Sequence, residues 1–195
     1  MKHFGNVLLA ALMVVGCAGG AAAEVWSVNR HTYVMVPLQG ATWVQAQADL
    51  QARLGAGWYL ATITSREEND FIFNTLVLPS GGSKYWLGGF QNPPDETAAD
   101  LGWSWVTGED FTLYRNWANA EPNDAAYGPG SEQWLEMLVY DNGTWNDAGV
   151  PEEGVTGYIA ENDAPVSHFC NGGKFRPHGR RRAVHPAYRR GEHAR

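Results

Sequence analysis

The sequence has few cysteines, few basic residues in its central part and no long apolar run after its N-terminus. Cysteine occurs only at positions 17 and 170 of the 195 residues, so the central region holds no internal disulfide. His31 is the only histidine between residues 24 and 162, which excludes Ser–His–Asp and Cys–His catalytic arrangements there. The same region contains five basic and 19 acidic residues, and its net charge of −14 disfavours binding to nucleic acid or anionic membranes.

The first 23 residues have the features of a secretory signal peptide. They contain Lys2, an apolar run and three alanines, and cleavage is expected after Ala23. Cys17 follows Val-Val-Gly in a pattern that resembles a bacterial lipobox, so lipidation of Cys17 is the alternative. We expect the protein to be attached to a membrane only if Cys17 is lipidated. Both routes predict an exported bacterial protein, secreted or held in the cell envelope.

The last 33 residues, 163–195, differ in composition from the rest of the chain. They carry eight basic residues and four of the six histidines, with almost no periodicity, and we expect a disordered tail. Anionic-surface binding is one alternative. Metal binding by His168, Cys170, His178 and His185 is another, although their spacing fits no zinc pattern. A frameshift in GC-rich DNA would also give this composition.

The central residues, 24–162, predict one α+β domain with a small antiparallel core. Two helices are expected from capping boxes, Thr42 with Gln45 and Ser65 with Glu68, the second helix ending at Pro79. Strands are expected at residues 31–36, 84–90, 102–106, 134–140 and 156–161. Asn142-Gly143 predicts a two-residue hairpin turn that pairs Tyr140 or Asp141 with Thr144 or Trp145.

Residues 91–133 form a long, mostly irregular segment rich in oxygen-bearing side chains. An irregular stretch of this length in a compact domain is usually functional or disordered, and its aromatic content argues against disorder. The predicted hairpin brings Glu132 near Asn146 and Asp147, beside the loop residues Glu121 and Asn123. Carboxylates and amides without His or Cys suit a hard cation such as calcium.

Six short motifs, in this order and spacing, resemble those of a C-type lectin-like domain. They are "WLGG", "YRNW", "EPND", "SEQWLEM", "TWND" and "GYIAE", and they extend from about Trp26 to Glu161. The resemblance implies two helices flanking small antiparallel sheets, with a long loop that binds calcium and sugar. It further implies that the Glu121-Pro122 peptide bond is cis.

The resemblance also implies the site residues and the ligand. The principal Ca²⁺ ion, and the sugar it bridges, would be bound by Glu121, Asn123, Glu132, Asn146 and Asp147. The Glu-Pro-Asn tripeptide goes with mannose- or glucose-type sugars, whose vicinal hydroxyls are equatorial. A second cation site would be formed by Asp124, Asp95, Glu96 and Asp100, for which a solvated acidic loop is the alternative.

The sequence departs from the family at its two disulfides. The matching positions are Leu50 with Ala160, and Trp134 with a position near Val150, so the core is expected to replace them with apolar packing. The other aromatic residues around the site are expected to support the core or the loop: Trp86, Trp103, Trp105, Trp117 and Trp145.

The expected function is non-enzymatic, calcium-dependent carbohydrate binding, with a glycan or exopolysaccharide as partner and a possible oligomer for avidity. The alternative is a calcium-stabilised protein-interaction or adhesion module without sugar binding. A glycoside hydrolase built on Glu121 and Glu132 is disfavoured, because the neighbouring asparagines would have no role in it.

Overall fold

The computed structural model describes residues 23–94, 96–126, 128–149 and 154–164. Residues 1–22 of the predicted signal peptide, 1–23, and residues 165–195 of the predicted tail, 163–195, lie outside these ranges, and with them Cys17 and Cys170. The first strand begins at Ala23, whose side chain is buried, one residue before the predicted domain boundary. No helix in the described ranges has both the length and the apolar content needed to cross a bilayer.

The described part of the chain forms an α+β fold around one mixed sheet. The strands are Ala23–Val25 (β1), Thr32–Pro37 (β2), Tyr59–Leu60 (β3), Lys84–Gln91 (β4), Trp103–Trp105 (β5), Trp134–Leu138 (β6), Thr144–Ala148 (β7) and Val155–Asn162 (β8). The main path runs β1-β2-β8-β4-β6-β7, with β3 on β8 and β5 on β4. Six of the seven strand pairings in this part of the chain are antiparallel, as predicted for the small core, and the seventh, between β4 and β8, is parallel.

Helix α1 spans Trp43–Arg53 and begins as predicted. Gln45 donates its N–H to Thr42 Oγ1 at 3.2 Å, and Thr42 donates its N–H to Gln45 Oε1 at 2.9 Å, so the capping box is complete. Leu50 on the buried face of α1 and Ala160 on β8 are both fully buried in one apolar cluster. Apolar packing therefore occupies the position of the first family disulfide.

Helix α2 spans Arg66–Ile72 and shows half of the predicted capping box. Ser65 Oγ accepts the N–H of Glu68 at 3.2 Å. The Glu68 carboxylate does not return to Ser65; it accepts the N–H of Thr64 at 2.8 Å and the hydroxyl of Tyr33 at 2.5 Å. A π-helical turn, Phe73–Val77, and a short helix α3, Leu78–Ser80, follow, so the helical segment runs past Pro79.

The β6–β7 hairpin has a longer turn than predicted. Leu138 pairs with Thr144, which leaves residues 139–143 in the turn and excludes pairing of Tyr140 or Asp141 within the ladder. Gly143 donates its N–H to Leu138 O at 2.8 Å, and both Asn142 and Gly143 have positive φ. In this register Glu136 lies opposite Asn146 and Leu135 opposite Asp147.

Two apolar clusters cover the two faces of the sheet. Neighbouring residues of β4 alternate between them, Tyr85 and Leu87 in one and Trp86 in the other, as a period of two requires. In the first cluster, Trp145 lies edge-to-face against Trp105 at 5.6 Å between centroids. Trp103 and Trp117 lie beside them, so the tryptophans support the core and the long loop as predicted.

Candidate functional site

The long loop and the hairpin are joined at Asp147, a fully buried residue of β7. Its carboxylate accepts the N–H of Asn123, at 3.1 Å to Oδ1 and 3.0 Å to Oδ2. Oδ2 also accepts the N–H of Asp124 at 2.8 Å. Backbone hydrogen bonds to a strand residue thus fix the position of the Glu-Pro-Asn-Asp segment.

Asp124 holds the next part of the loop together. Its Oδ1 accepts the N–H groups of Ser131 at 2.9 Å and Glu132 at 2.8 Å, and its Oδ2 accepts that of Gly130 at 2.5 Å. Asp124 has a φ of +55°, a conformation that Asp and Asn adopt more readily than other non-glycine residues. These bonds bring the Glu132 carboxylate to the junction between loop and hairpin.

Three buried carboxylates meet at this junction. Asp124, Glu132 and Asp147 each offer an oxygen atom, and the three atoms lie within 4.8 Å of one another. Glu132 is 6 % exposed, and its Oε2 accepts the N–H of Ala126 at 3.3 Å. Acids placed this close repel one another unless protons or a cation reduce their charge.

Glu121 adds a fourth carboxylate. Burial, followed by the nearby charge of Asp147 and that of Glu132, raises the pKa of Glu121 to about 7. Burial is also the main reason that the pKa of Asp147 is raised. The Glu121 Oε2 atom is buried and has no hydrogen-bond partner in the described part of the chain, and the Glu121-Pro122 peptide bond is cis, as expected.

The two asparagines of the predicted ligand set lie at the edges of this group. Asn123 is exposed, and its Oδ1 accepts the N–H of Ala125 at 2.7 Å. Asn146 is next to Asp147 in β7, and its Nδ2 donates to Glu136 Oε1 at 3.0 Å. The structure therefore places Glu121 and Asn123 in direct contact with Asp147. Asn146 lies beside this group because it precedes Asp147 in β7.

This donor set fits a calcium ion. It is composed of carboxylate and amide oxygens, and two of its three acids, Glu132 and Asp147, are buried. The third acid, Glu121, has a buried Oε2 atom with no hydrogen-bond partner among the described residues. The residues that would hold the ion are Glu121, Asn123, Glu132, Asn146 and Asp147.

The residues of the second predicted cation site are not gathered in the same way. Glu96 Oε1 accepts the N–H groups of Thr97 at 2.9 Å and Ala98 at 3.0 Å, and Asp100 is exposed. Among the described residues, no cluster of three metal-capable side chains includes Glu96 or Asp100, and Asp95 lies outside the described ranges. The second site stays a prediction.

A further polar cluster was not predicted from the sequence. The buried Glu161 carboxylate accepts the N–H of Thr62 at 2.9 Å, and it lies 3.0 Å from the Tyr33 hydroxyl oxygen and 2.7 Å from His31 Nδ1. Asp163 is close to both His31 and Glu161. Glu161 ends the "GYIAE" motif, but His31 and Thr62 are 130 and 99 residues away, so no local signal indicated the cluster.

The family model of the lectin C-type domain matches residues 39–152, more than half of this chain. This chain belongs to the C-type lectin domain family. A lectin from Pleurodeles waltl is 27 % identical over 125 residues, which are 63 % of this chain and 66 % of that protein. Halomucin from Haloquadratum walsbyi is 32 % identical over 115 residues, 53 % of this chain but 1 % of that protein. The chain therefore spans less than two thirds of each.

Solved structures of C-type lectin domains share the fold. The carbohydrate-recognition domain of the human scavenger receptor C-type lectin has a TM-score of 0.56 at 22 % identity, covering 72 % of this chain and 95 % of that one. SPL-1, solved as a GlcNAc complex, has a TM-score of 0.54 at 23 % identity, covering 76 % and 96 %. A calcium-independent type II antifreeze protein has a TM-score of 0.53 at 23 % identity, covering 78 % and 95 %.

Proposed function

We propose that this C-type lectin domain binds carbohydrate through a calcium ion at the junction of the long loop and the β6–β7 hairpin. The observation that carries the proposal is Glu121. Its Oε2 is buried and has no hydrogen-bond partner among the described residues, and burial, together with the nearby charges of Asp147 and Glu132, raises its pKa. A divalent cation stabilises the ionised form of such a buried carboxylate more than it stabilises a carboxylate in water.

The chain's own groups have two functions in this scheme. Glu121, Glu132 and Asp147 supply negative charge, and Asn123 and Asn146 supply amide oxygens for the ion and N–H groups for sugar hydroxyls. When bound, calcium accepts lone pairs from two vicinal hydroxyls of the sugar. The carboxylates accept the protons of those hydroxyls, so the same side chains contact both ligands.

The preferred sugar follows from the Glu121-Pro122-Asn123 tripeptide. A carboxylate at the first position and an amide at the third present an acceptor and a donor in a fixed order along the loop. In this family that order goes with vicinal equatorial hydroxyls, as in mannose and glucose. The GlcNAc bound in the SPL-1 structure has its 3- and 4-hydroxyls in the same arrangement.

The experiment is a calorimetric titration of the purified protein with methyl α-mannoside and methyl α-galactoside, with calcium and with chelator. We expect weak binding of the mannoside in calcium only. The double variant Glu121→Gln with Asn123→Asp reverses the donor and acceptor order, so it should shift preference toward the galactoside. Calcium binding without any sugar binding would contradict the proposal and favour a calcium-stabilised protein-interaction or adhesion module.

We further propose that the protein acts outside the cytoplasm on a polymeric or clustered ligand. A single shallow site binds one sugar weakly, and a glycan or exopolysaccharide with repeated sugars raises the effective affinity without new contacts. The acidic charge of the domain favours a neutral ligand. We expect no enzymatic reaction at this site.

A further inference from the structure

We propose that Glu136, held by Lys84, is a positioning residue that fixes the orientation of the Asn146 side-chain amide. This inference rests on the proposed function, because Asn146 is one of the residues that would hold the ion. Neither Glu136 nor Lys84 belongs to that ligand set.

The three residues come from three adjacent strands. Glu136 on β6 lies opposite Asn146 on β7, and on its other side opposite Trp86 on β4, two residues from Lys84. Glu136 Oε1 is 3.0 Å from Asn146 Nδ2 and 3.2 Å from Lys84 Nζ. The Glu136 side chain is fully buried and that of Lys84 is 18 % exposed.

The chemistry of the contact leaves one orientation for the amide. A carboxylate that forms an ion pair only accepts hydrogen bonds, and the Lys84 ammonium group lies 3.2 Å from Glu136 Oε1. If the Asn146 amide turned by 180°, its Oδ1 would face Glu136 Oε1, and two acceptors would be in contact beside a fully buried carboxylate. Nδ2 is therefore held on Glu136.

This orientation matches the role of Asn146 at the junction. With one N–H of Nδ2 on Glu136, Oδ1 is the atom left to hold a cation and the second N–H is left to donate to a sugar hydroxyl. A rotated amide would place N–H groups where an oxygen is needed. Mutation of a residue that hydrogen-bonds to a metal ligand commonly lowers the metal affinity by roughly ten- to a hundred-fold.

A purely structural role for the ion pair is the competing explanation, and a matched pair of double variants separates the two. Lys84→Met with Glu136→Leu removes both charges and replaces the two side chains by apolar ones of similar volume. Proteins often tolerate such a replacement of a buried ion pair without loss of stability. Lys84→Met with Glu136→Gln also removes both charges but keeps an oxygen that can accept from Asn146. The two variants carry the same net charge, and at position 136 only the Gln variant has an oxygen that can accept from Asn146.

The first readout uses metal-free protein and NMR of side-chain amides. We expect the Asn146 Nδ2 resonances to be protected from solvent exchange in the wild type, partly protected in the Gln variant and unprotected in the Leu variant. Asn69 is the internal control, because its Nδ2 donates to Gly143 O at 3.2 Å and its Oδ1 accepts from Trp145 Nε1 at 2.9 Å. Its resonances should not change in any variant.

The second readout is calcium affinity by calorimetry. We expect a loss of about tenfold or more in the Leu variant and a smaller loss in the Gln variant, at similar thermal stability. Equal affinities in all three proteins, or equal losses in both variants, would overturn the positioning role. If the wild type bound no calcium, the proposed function would fail, and protection of Asn146 would then decide the positioning role independently.

Discussion

The backbone N–H of Asp124 donates to the carboxylate of Asp147 at 2.8 Å, so a buried strand residue holds the turn of the long loop. Asp124 in turn binds three backbone N–H groups further along that loop. The junction between loop and hairpin is therefore assembled from the protein's own hydrogen bonds. We expect its backbone to keep this arrangement when chelator is present.

Removal of the Asp124 carboxylate should loosen the loop. Asp124→Ala leaves three N–H groups without their acceptor and places a residue with a Cβ but no polar group at positive φ, so unfolding should be easier by roughly 1–3 kcal/mol. Asp124→Asn keeps one acceptor oxygen and tolerates this φ, so its loss should be smaller. Urea unfolding in chelator measures both. Equal stability of the Ala variant and the wild type would contradict this account of the loop.

Glu121→Gln should affect the metal-free and the calcium-loaded protein in opposite directions. The substitution removes one negative charge from a crowded group of acids, so in chelator the urea midpoint should rise. In calcium the affinity for the ion should fall by more than about tenfold, since a charged ligand is lost. Asp100→Asn, which removes an exposed carboxylate of the same loop, is the matched control and should change neither quantity.

The calcium stoichiometry should be one ion per chain. The Glu96 carboxylate already accepts backbone N–H groups of its own loop. Beside it, position 133 is an uncharged Gln, whose Nε2 donates to Gln91 Oε1 at 2.7 Å and to Glu96 O at 3.1 Å. Calorimetry should give a single site whose affinity is unchanged by Glu96→Gln. A second ion per chain that disappears in this variant would show that the second predicted site exists.

His31 should make stability depend on pH. Its hydrogen bond to Glu161 is the main reason that the pKa of His31 is raised, with Asp163 and Glu68 adding to the effect. Because the raised pKa belongs to the folded state, the stabilisation is complete below about pH 6.5, the unfolded value, and is lost as pH rises through the folded pKa. The stability difference between the wild type and His31→Gln should therefore shrink as pH rises. A difference that stays constant between pH 5 and pH 9 would exclude protonation of His31 as its source.

The local parts of the fold could be predicted from the sequence, and the parts that depend on strand register could not. The Thr42 capping box is local, and its prediction is confirmed. The hairpin turn was predicted too short, because Asn142-Gly143 indicates a tight turn but does not fix which residues of β6 pair with β7. Only half of the second predicted capping box forms, because distant Tyr33 and neighbouring Thr64 both donate to the Glu68 carboxylate.

The same distinction applies to the site. The Glu121-Pro122-Asn123 and Asn146-Asp147 motifs identified the junction, since their residue types are specific. The hydrogen bonds from the loop backbone to Asp147, and the contact of Lys84 with Glu136, connect residues more than 20 positions apart. The contact of Lys84 with Glu136 follows from the sheet order β4-β6-β7, and the contacts of the loop with Asp147 follow from the path of the loop. No short motif specifies either.

The most direct test of the central claim is retention of the purified protein on mannose resin in millimolar calcium, followed by elution with chelator. The account predicts that the wild type is retained and is released by chelator, and that Glu121→Gln flows through. Flow-through of folded wild-type protein in calcium would contradict calcium-bridged mannose recognition.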